Sequence, residues 1–141
     1  MKSSGALLEY ITSNVPEDDI VFVIVSGGSL TLFEISGDDV DLEDNASISK
    51  ELMKRDSDVF ELNTVRKMFS EVKSGKLPRF LKCRKVISLI VSDVIGDRLD
   101  TIASSPTAPD ETTSQDVYNI LKRRGLWNKQ DPRNFSRIGL D

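Results

Sequence analysis

The sequence predicts an α/β fold with a parallel, doubly wound (Rossmann-like) sheet. Residues 20–25 and 85–92 are almost unbroken runs of apolar, mostly β-branched residues, as expected for strands that are covered on both faces of a parallel sheet. Helical patterns lie around these runs, and alternating strands and helices are typical of doubly wound folds. A stable sheet usually has roughly four to six strands, so either further strands have only a weak sequence pattern or the chain is a partial domain.

The helices are predicted from the spacing of apolar residues. This spacing predicts helices at residues 6–12, 48–54, 58–73 and 115–124. A further short helix is expected to begin at Leu77-Pro78. The helix at 58–73 has a buried stripe made of Val59, Leu62, Val65, Phe69 and Val72. Residues 36–49 are acidic and polar, and we expect a solvent-exposed loop there.

The chain is expected to form one domain over residues 1–127, the central part of an α/β domain, with a polar tail at 128–141. Its 141 residues carry a net charge of −4, which argues against a nucleic-acid partner. The longest apolar runs are too short to span a bilayer, and no secretory signal pattern opens the chain. These observations predict a cytoplasmic protein without a membrane partner.

The residue types that are missing limit the chemistry. The sequence contains no histidine and a single cysteine, Cys83. This excludes an internal disulfide, Ser-His-Asp and Cys-His catalysis, and histidine-ligated zinc. Any reaction must therefore use carboxylates, lysine, arginine, hydroxyl groups or backbone amides.

The long connection after the second strand is the best candidate for a functional loop. Residues 93–113 are rich in carboxylates, hydroxyls, glycine and proline, and in open α/β sheets ligands bind at the carboxyl ends of the strands. Asp93, Asp97 and Asp100 are spaced four and three residues apart. They suit Mg²⁺ together with a substrate phosphate, and one of them suits a general base. The alternative is that they cap turns or face solvent.

Two further groups of residues are candidates for anion binding. Ser26-Gly27-Gly28-Ser29 follows the first strand and resembles a phosphate cradle, although a Gly-Gly turn is often only a turn. Asn63, Arg66 and Lys67 share a helix and suit a carboxylate or phosphate, or form a solvated helix face. If the strand ends at Ser26 and Ser92 contribute to one cleft, both must lie at the same edge of the sheet.

Four sequence blocks, taken in order, resemble the glycerate 2-kinase family. The blocks are Val25-Ser26-Gly27-Gly28; Asn63-Thr64-Val65-Arg66-Lys67 with Ser70 and Lys73-Ser74-Gly75-Lys76-Leu77; Ser88-Leu89-Ile90-Val91-Ser92-Asp93-Val94-Ile95-Gly96-Asp97; and Ile102-Ala103-Ser104-Ser105-Pro106-Thr107 with Pro109-Asp110 and Thr112-Thr113. The resemblance covers residues 4–127 and corresponds to the middle portion of the family's enzymes. The 141 residues do not include two segments of the family, namely a glycine-lysine motif that precedes this portion and a C-terminal domain that follows it. We therefore expect a chain that is incomplete as a catalyst by itself.

The resemblance implies transfer of the γ-phosphoryl group of ATP to a hydroxyl of glycerate, with Mg²⁺ as the second cofactor. It implies that Asp93 and Asp97 are catalytic and bind the metal. It further implies a substrate- or phosphate-binding set made of Ser26, Gly27, Gly28, Asn63, Arg66, Lys67, Ser92, Thr107 and Asp110. The expected partners are glycerate and nucleotide, with a complementing chain to complete the site. Because a partial sheet leaves an open edge and such edges pair readily, a homodimer formed through that edge is also expected.

The sequence departs from the family pattern at three places. Leu30 stands where the family has a serine, Ser74 replaces the first glycine of a Lys-Gly-Gly stretch, and Ser105 replaces a glycine before Pro106. Ser105 adds a side chain where the family's backbone approaches a ligand. These departures support an alternative hypothesis, a catalytically inactive binding or assembly module. A receiver-like signalling domain is a further alternative, but the first strand ends in Ser26-Gly27-Gly28 rather than in an acidic pair.

Overall fold

The structure is a computed structural model that describes residues 2–26, 33–37, 42–92, 99 and 102–127. The chain packs as two compact units. The first unit combines Met1–Ile35 with Glu71–Asp110, and the second combines Ser36–Ser70 with Glu111–Asp141.

The first unit contains the sheet. Helix α1 spans Lys2–Asn14, strand β1 spans Ile20–Ser26 and strand β2 spans Lys85–Val91. Short 3₁₀ helices at Leu77–Phe80 and Ile102–Ser104 complete the described elements of this unit. The strands are parallel and in register, from Ile20 opposite Lys85 to Ser26 opposite Val91. The predicted α/β class and parallel pairing are confirmed.

The two faces of this sheet differ in burial. On one face Val25 is buried, and Val21 and Val23 are half-buried. On the other face Phe22 and Ile24 of β1 are 60% and 76% exposed, and Leu89 and Val91 of β2 are also exposed. The expectation that both strands are covered on both faces is therefore wrong for this chain. Apolar composition predicted the strands correctly, but it could not show that the described chain covers only one face.

The second unit is helical. Helix α2 spans Leu42–Lys54, α3 spans Val59–Met68 and α4 spans Ser114–Arg123, and α3 contacts both other helices. Their apolar faces form a core of Leu52, Val65, Phe69, Val117, Ile120 and Leu121. Val59 of the predicted stripe lies outside this core, since it is 73% exposed.

Two helix boundaries differ from the sequence prediction. Helix α2 begins at Leu42 rather than at residue 48, so part of the predicted acidic loop is helical. Helix α3 ends at Met68 rather than at residue 73. Ser70 forms an antiparallel bridge with Ser36, and this long-range pairing ends the helix although apolar spacing continues to Val72.

Helix α4 matches its prediction because local signals fix both of its ends. Thr113 caps the first turn, where its side chain accepts a hydrogen bond from the Asp116 N–H while the Asp116 carboxylate accepts from the Thr113 backbone. The Thr113 hydroxyl also donates to the Asp116 carboxylate at 2.6 Å, and this bond, followed by the one from the Thr113 backbone N–H, lowers the pKa of Asp116. Gly125 follows the helix with a φ of 65°, the left-handed conformation that commonly terminates helices.

Candidate functional site at the carboxyl edge of the sheet

The carboxyl ends of β1 and β2 lie at the same edge of the sheet. Ser26 is the last residue of β1 and is paired with Val91, and Ser92 follows directly in the chain. Both serines are exposed at this edge. The geometric requirement for a shared cleft between the two strand ends is therefore met.

The residues that follow both strands fall outside the described part of the chain. Gly27 and Gly28 after β1, and Asp93 and Asp97 after β2, belong to residues 27–32 and 93–98. Their predicted roles as a phosphate cradle and as a catalytic, metal-binding pair remain predictions. Within the described ranges, no group of three or more acidic, cysteine or histidine side chains is placed to hold a metal.

Thr107 is fixed against the middle of β2. The Ser88 hydroxyl lies 2.7 Å from Thr107 Oγ1 and donates a hydrogen bond to it. Ser88 is opposite Val23 in the register, so Thr107 is tied to the covered face of the sheet. Sequence reasoning identified Thr107 and included Ser88 in the same block as Ser92, but it did not predict that these two hydroxyls meet.

Asp110 is held by a turn between Lys73 and Leu77. Ser74 Oγ donates to Asp110 Oδ2 at 2.9 Å. The backbone of the same turn binds the segment before Asp110: Gly75 N–H donates to Ser105 O at 2.7 Å and Leu77 N–H donates to Pro106 O at 3.1 Å. Two blocks of the sequence pattern, separated by about thirty residues in the chain, thus form one hydrogen-bonded structure.

This contact is close enough to require glycine at residue 75. Gly75 has a φ of 70°, and a Cβ atom added there would lie 2.9 Å from the carbonyl oxygen of Ala108. Ser74 and Ser105 also have positive φ angles, 56° and 53°. An L-residue in this left-handed region costs roughly 1–2 kcal/mol relative to ordinary backbone, so the turn stores strain that its contacts must offset.

The side chain of Ser105 is buried within the loop after β2. It is 1% exposed, and its hydroxyl donates to the carbonyl oxygen of Ala108 at 2.6 Å. The added side chain therefore points into the protein and stabilises the loop. It does not extend from the surface, and the approach of a ligand to this backbone remains a prediction.

Lys73 supplies a buried charge beside this turn. It is 3% exposed, and its ammonium group forms an ion pair with Glu34 of the same unit. Because a buried charge is costly without a partner, the pair ties residues 33–35 to the turn. Sequence reasoning placed Lys73 at the end of a helix and could not anticipate this partner.

A family model described as "Domain of unknown function (DUF4147)" matches residues 1–138 of the chain. The chain belongs to the DUF4147 family.

Curated relatives of this DUF4147 chain are kinases. It is 43% identical over 119 residues to the glycerate 2-kinase of Pyrococcus horikoshii, covering 84% of this chain and 27% of the relative. It is 39% identical over 126 residues to the D-glycerate 2-kinase of Thermotoga maritima, covering 89% and 30%. The resemblance to glycerate 2-kinases over part of their length is confirmed.

A solved structure supports the same relationship. The crystal structure of glycerate kinase from Thermotoga maritima superposes with a TM-score of 0.83 at 37% identity and covers 97% of this chain and 32% of that chain. The DUF4147 chain thus spans about a third or less of the length of the proteins that it matches.

The remaining candidate residues of the DUF4147 chain lie on α3 in the second unit. Lys67 is 4% exposed, and Asn63 and Arg66 are half-buried. A freely solvated helix face is therefore wrong for Lys67. The three residues share one helix, as predicted, and their role in anion binding remains a prediction.

Sequence reasoning missed one charged cluster in the second unit. Glu61 of α3 is 4% exposed, and its carboxylate forms ion pairs with Arg123 and Arg124 at the end of α4. Burial would raise the pKa of Glu61, but the hydrogen bonds and charges of Arg124 and Arg123 outweigh it and lower the pKa. Glu61 lies three residues after Asp58, the N-cap of α3, and an acidic residue in the first turn is typical of a helix start. This local pattern does not indicate the arginines of α4 with which Glu61 pairs.

No described helix combines the length and apolar character that crossing a bilayer requires.

Proposed function

We propose that this chain forms part of a glycerate 2-kinase-like site, which transfers a phosphoryl group from ATP to a hydroxyl of glycerate with Mg²⁺. The observation that carries the proposal is the shared carboxyl edge, where two parallel, in-register strands end with Ser26 paired with Val91 and Ser92 next in the chain. The curated relatives are glycerate 2-kinases. Because the chain spans 27–30% of their length, residues beyond these 141 would complete the site.

The carboxylates that the proposal assigns to the site suit magnesium. Mg²⁺ prefers oxygen ligands and is usually held by one or two carboxylates together with substrate phosphates. In our proposal Asp93 and Asp97 hold the metal, and when bound it neutralises charge on the phosphates. One of the same aspartates accepts the proton of the attacking hydroxyl, since phosphoryl transfer requires mainly positioning and charge neutralisation.

The remaining candidates act on the two substrates. Ser26, Gly27 and Gly28 would line the phosphate cleft with hydroxyl and backbone donors, and Ser92 would add a second hydroxyl from the neighbouring strand. Asn63, Arg66 and Lys67 would bind anionic groups, because guanidinium and ammonium groups pair with carboxylate and phosphate. Thr107 and Asp110, fixed by Ser88 and Ser74, would contact the substrate from the loop after β2.

The assembly and location of the protein follow from this proposal. The proposal keeps the cytoplasmic location that the sequence predicts. A complementing chain would supply the remaining part of the site, and pairing through an open edge of the partial sheet would join two copies of the chain into a homodimer. Analytical ultracentrifugation of the purified chain tests self-association, and a single monomeric species would rule out the homodimer.

Calorimetric titration with Mg·ATP tests the proposal. We expect saturable binding by the wild-type chain and at least roughly tenfold weaker binding when Asp93→Asn and Asp97→Asn are combined, a difference of about 1.4 kcal/mol. The matched control combines Glu17→Gln with Asp18→Asn, which removes two exposed carboxylates before β1, at the opposite edge of the sheet.

Binding that survives in the Asp93 and Asp97 variant would contradict their assignment as metal ligands. Absence of saturable binding, with the far-ultraviolet circular dichroism of a folded chain, would contradict the proposed function of this chain. That result would favour the alternative of a kinase-derived binding or assembly module.

A further inference from the structure

The side chain of Ser74 reaches across the turn to a residue of the proposed substrate site. Its Oγ donates to Asp110 Oδ2 at 2.9 Å, and the two residues are 36 positions apart in the chain. Both side chains are half-buried. The bond is therefore a tertiary contact that fixes one oxygen of the Asp110 carboxylate.

The backbone around Ser74 is itself held in place. Its N–H donates to Ser104 O at 3.2 Å, and the neighbouring Gly75 N–H donates to Ser105 O at 2.7 Å. The close approach of Gly75 to Ala108 leaves no space for a Cβ atom. The hydroxyl of Ser74 thus donates to Asp110 from a turn whose backbone is held by hydrogen bonds on both sides of the serine.

Ser74 adopts a backbone conformation that glycine adopts at lower cost. Its φ is 56°, where a serine is strained and a glycine is not. Glycine would relieve this strain but would remove the donor to Asp110. The side chain of Ser74 therefore contributes a specific hydrogen bond at a position where the backbone alone favours glycine.

We propose that Ser74 is a positioning residue that orients the Asp110 carboxylate to accept a hydrogen bond from a substrate hydroxyl. This inference rests on the proposed function and identifies the chemistry that Asp110 recognises. A carboxylate is an acceptor and does not pair with phosphate or with another carboxylate, so among the groups of glycerate it suits a hydroxyl. By donating to Oδ2, Ser74 orients the Asp110 carboxylate group so that it can accept a hydrogen bond from that hydroxyl.

The test compares two serine-to-glycine variants of the intact chain. Both substitutions relieve the backbone strain of a serine at positive φ. Ser74→Gly also removes the hydrogen-bond donor to Asp110, whereas Ser105→Gly removes the donor to the carbonyl oxygen of Ala108. In calorimetric titrations with D-glycerate, we expect roughly three- to tenfold weaker binding for Ser74→Gly. Ser105→Gly should stay within about twofold of wild type, and thermal unfolding should show that both variants are folded.

A double-variant cycle separates positioning from general stability. In an Asp110→Asn background, Ser74→Gly should cause no further loss of glycerate affinity, because the carboxylate that it orients is gone. Equal losses in the wild-type and Asp110→Asn backgrounds would overturn the positioning role.

A measurement without ligand separates failure of this inference from failure of the proposed function. The carboxyl ¹³C resonance of Asp110 should shift in Ser74→Gly and stay in place in Ser105→Gly. If wild type does not bind D-glycerate but the resonance shifts as expected, the proposed function fails while Ser74 still orients Asp110. An unchanged resonance in Ser74→Gly would overturn the inference whether or not glycerate binds.

Discussion

The helical core of the second unit and the sheet of the first unit bury their apolar residues to different extents. In the core formed by α2, α3 and α4, Leu52, Val65 and Phe69 are 0% exposed. On the outer face of the sheet, which carries Phe22 and Ile24, Phe22 is 60% exposed although β1 is no less apolar than the three helices. The difference shows that apolar composition identifies an element, whereas burial depends on which other elements are present to cover it.

The largest expected effect compares two phenylalanines. Phe69→Ala removes a fully buried ring and should lower the free energy of unfolding by about 3–5 kcal/mol, measured by urea denaturation. Phe22→Ala removes an exposed ring and should change it by less than about 1 kcal/mol. If both substitutions cost the same, the outer face of the sheet is covered in solution and the contrast between the two regions is wrong.

A smaller effect compares two glycines within the first unit. Gly75→Ala places a Cβ atom 2.9 Å from Ala108 O at a φ of 70°, and should destabilise the chain by about 2–4 kcal/mol in thermal or urea unfolding. Gly5→Ala in α1 meets no atom within 4 Å and should stabilise the chain by about 0.5–1 kcal/mol. Destabilisation of similar size in both variants would show that the turn at Gly75 is no tighter than an open helix surface.

The smallest effect concerns the ion pairs of the second unit. Glu61→Gln removes the charge that pairs with Arg123 and Arg124 and should cost about 1–3 kcal/mol at neutral pH. The pKa of Glu61 is lowered in the folded chain, so its contribution is present above the ordinary carboxyl pKa. It is lost as pH falls through the lowered value.

Urea denaturation at a series of pH values measures this dependence. The wild type should lose stability towards acid more steeply than Glu61→Gln, and the two curves should converge at low pH. Parallel curves over the whole range would contradict the assignment of this acid sensitivity to Glu61.

Local signals made part of the fold predictable. The β-branched runs identified both strands to within one residue at each end, and the apolar spacing around Val117, Ile120 and Leu121 located α4. In the structure a capping box formed by Thr113 and Asp116 fixes the start of α4. In each case the residues that decide the structure lie within one turn or one strand.

Contacts between distant residues were not predictable from one sequence. The end of α3 depends on the bridge between Ser70 and Ser36, which no periodicity reveals. The site showed the same limit: Thr107 and Asp110 were identified from their motif, whereas their partners Ser88 and Ser74 became apparent only from the fold. The left-handed backbone of Ser105 also follows from tertiary packing, because serine by itself disfavours a positive φ.

Chemical-shift mapping tests the central claim most directly, namely that the carboxyl edge of the sheet is the ligand site. A ¹⁵N-labelled chain would be titrated with Mg·ATP and with D-glycerate while its amide resonances are followed. We predict that the resonances of Ser26, Ser92 and Thr107 shift with saturation, while those of Asp18 and Lys85 at the amino edge stay in place. Shifts confined to the amino edge, or no shifts in a folded chain, would contradict the claim.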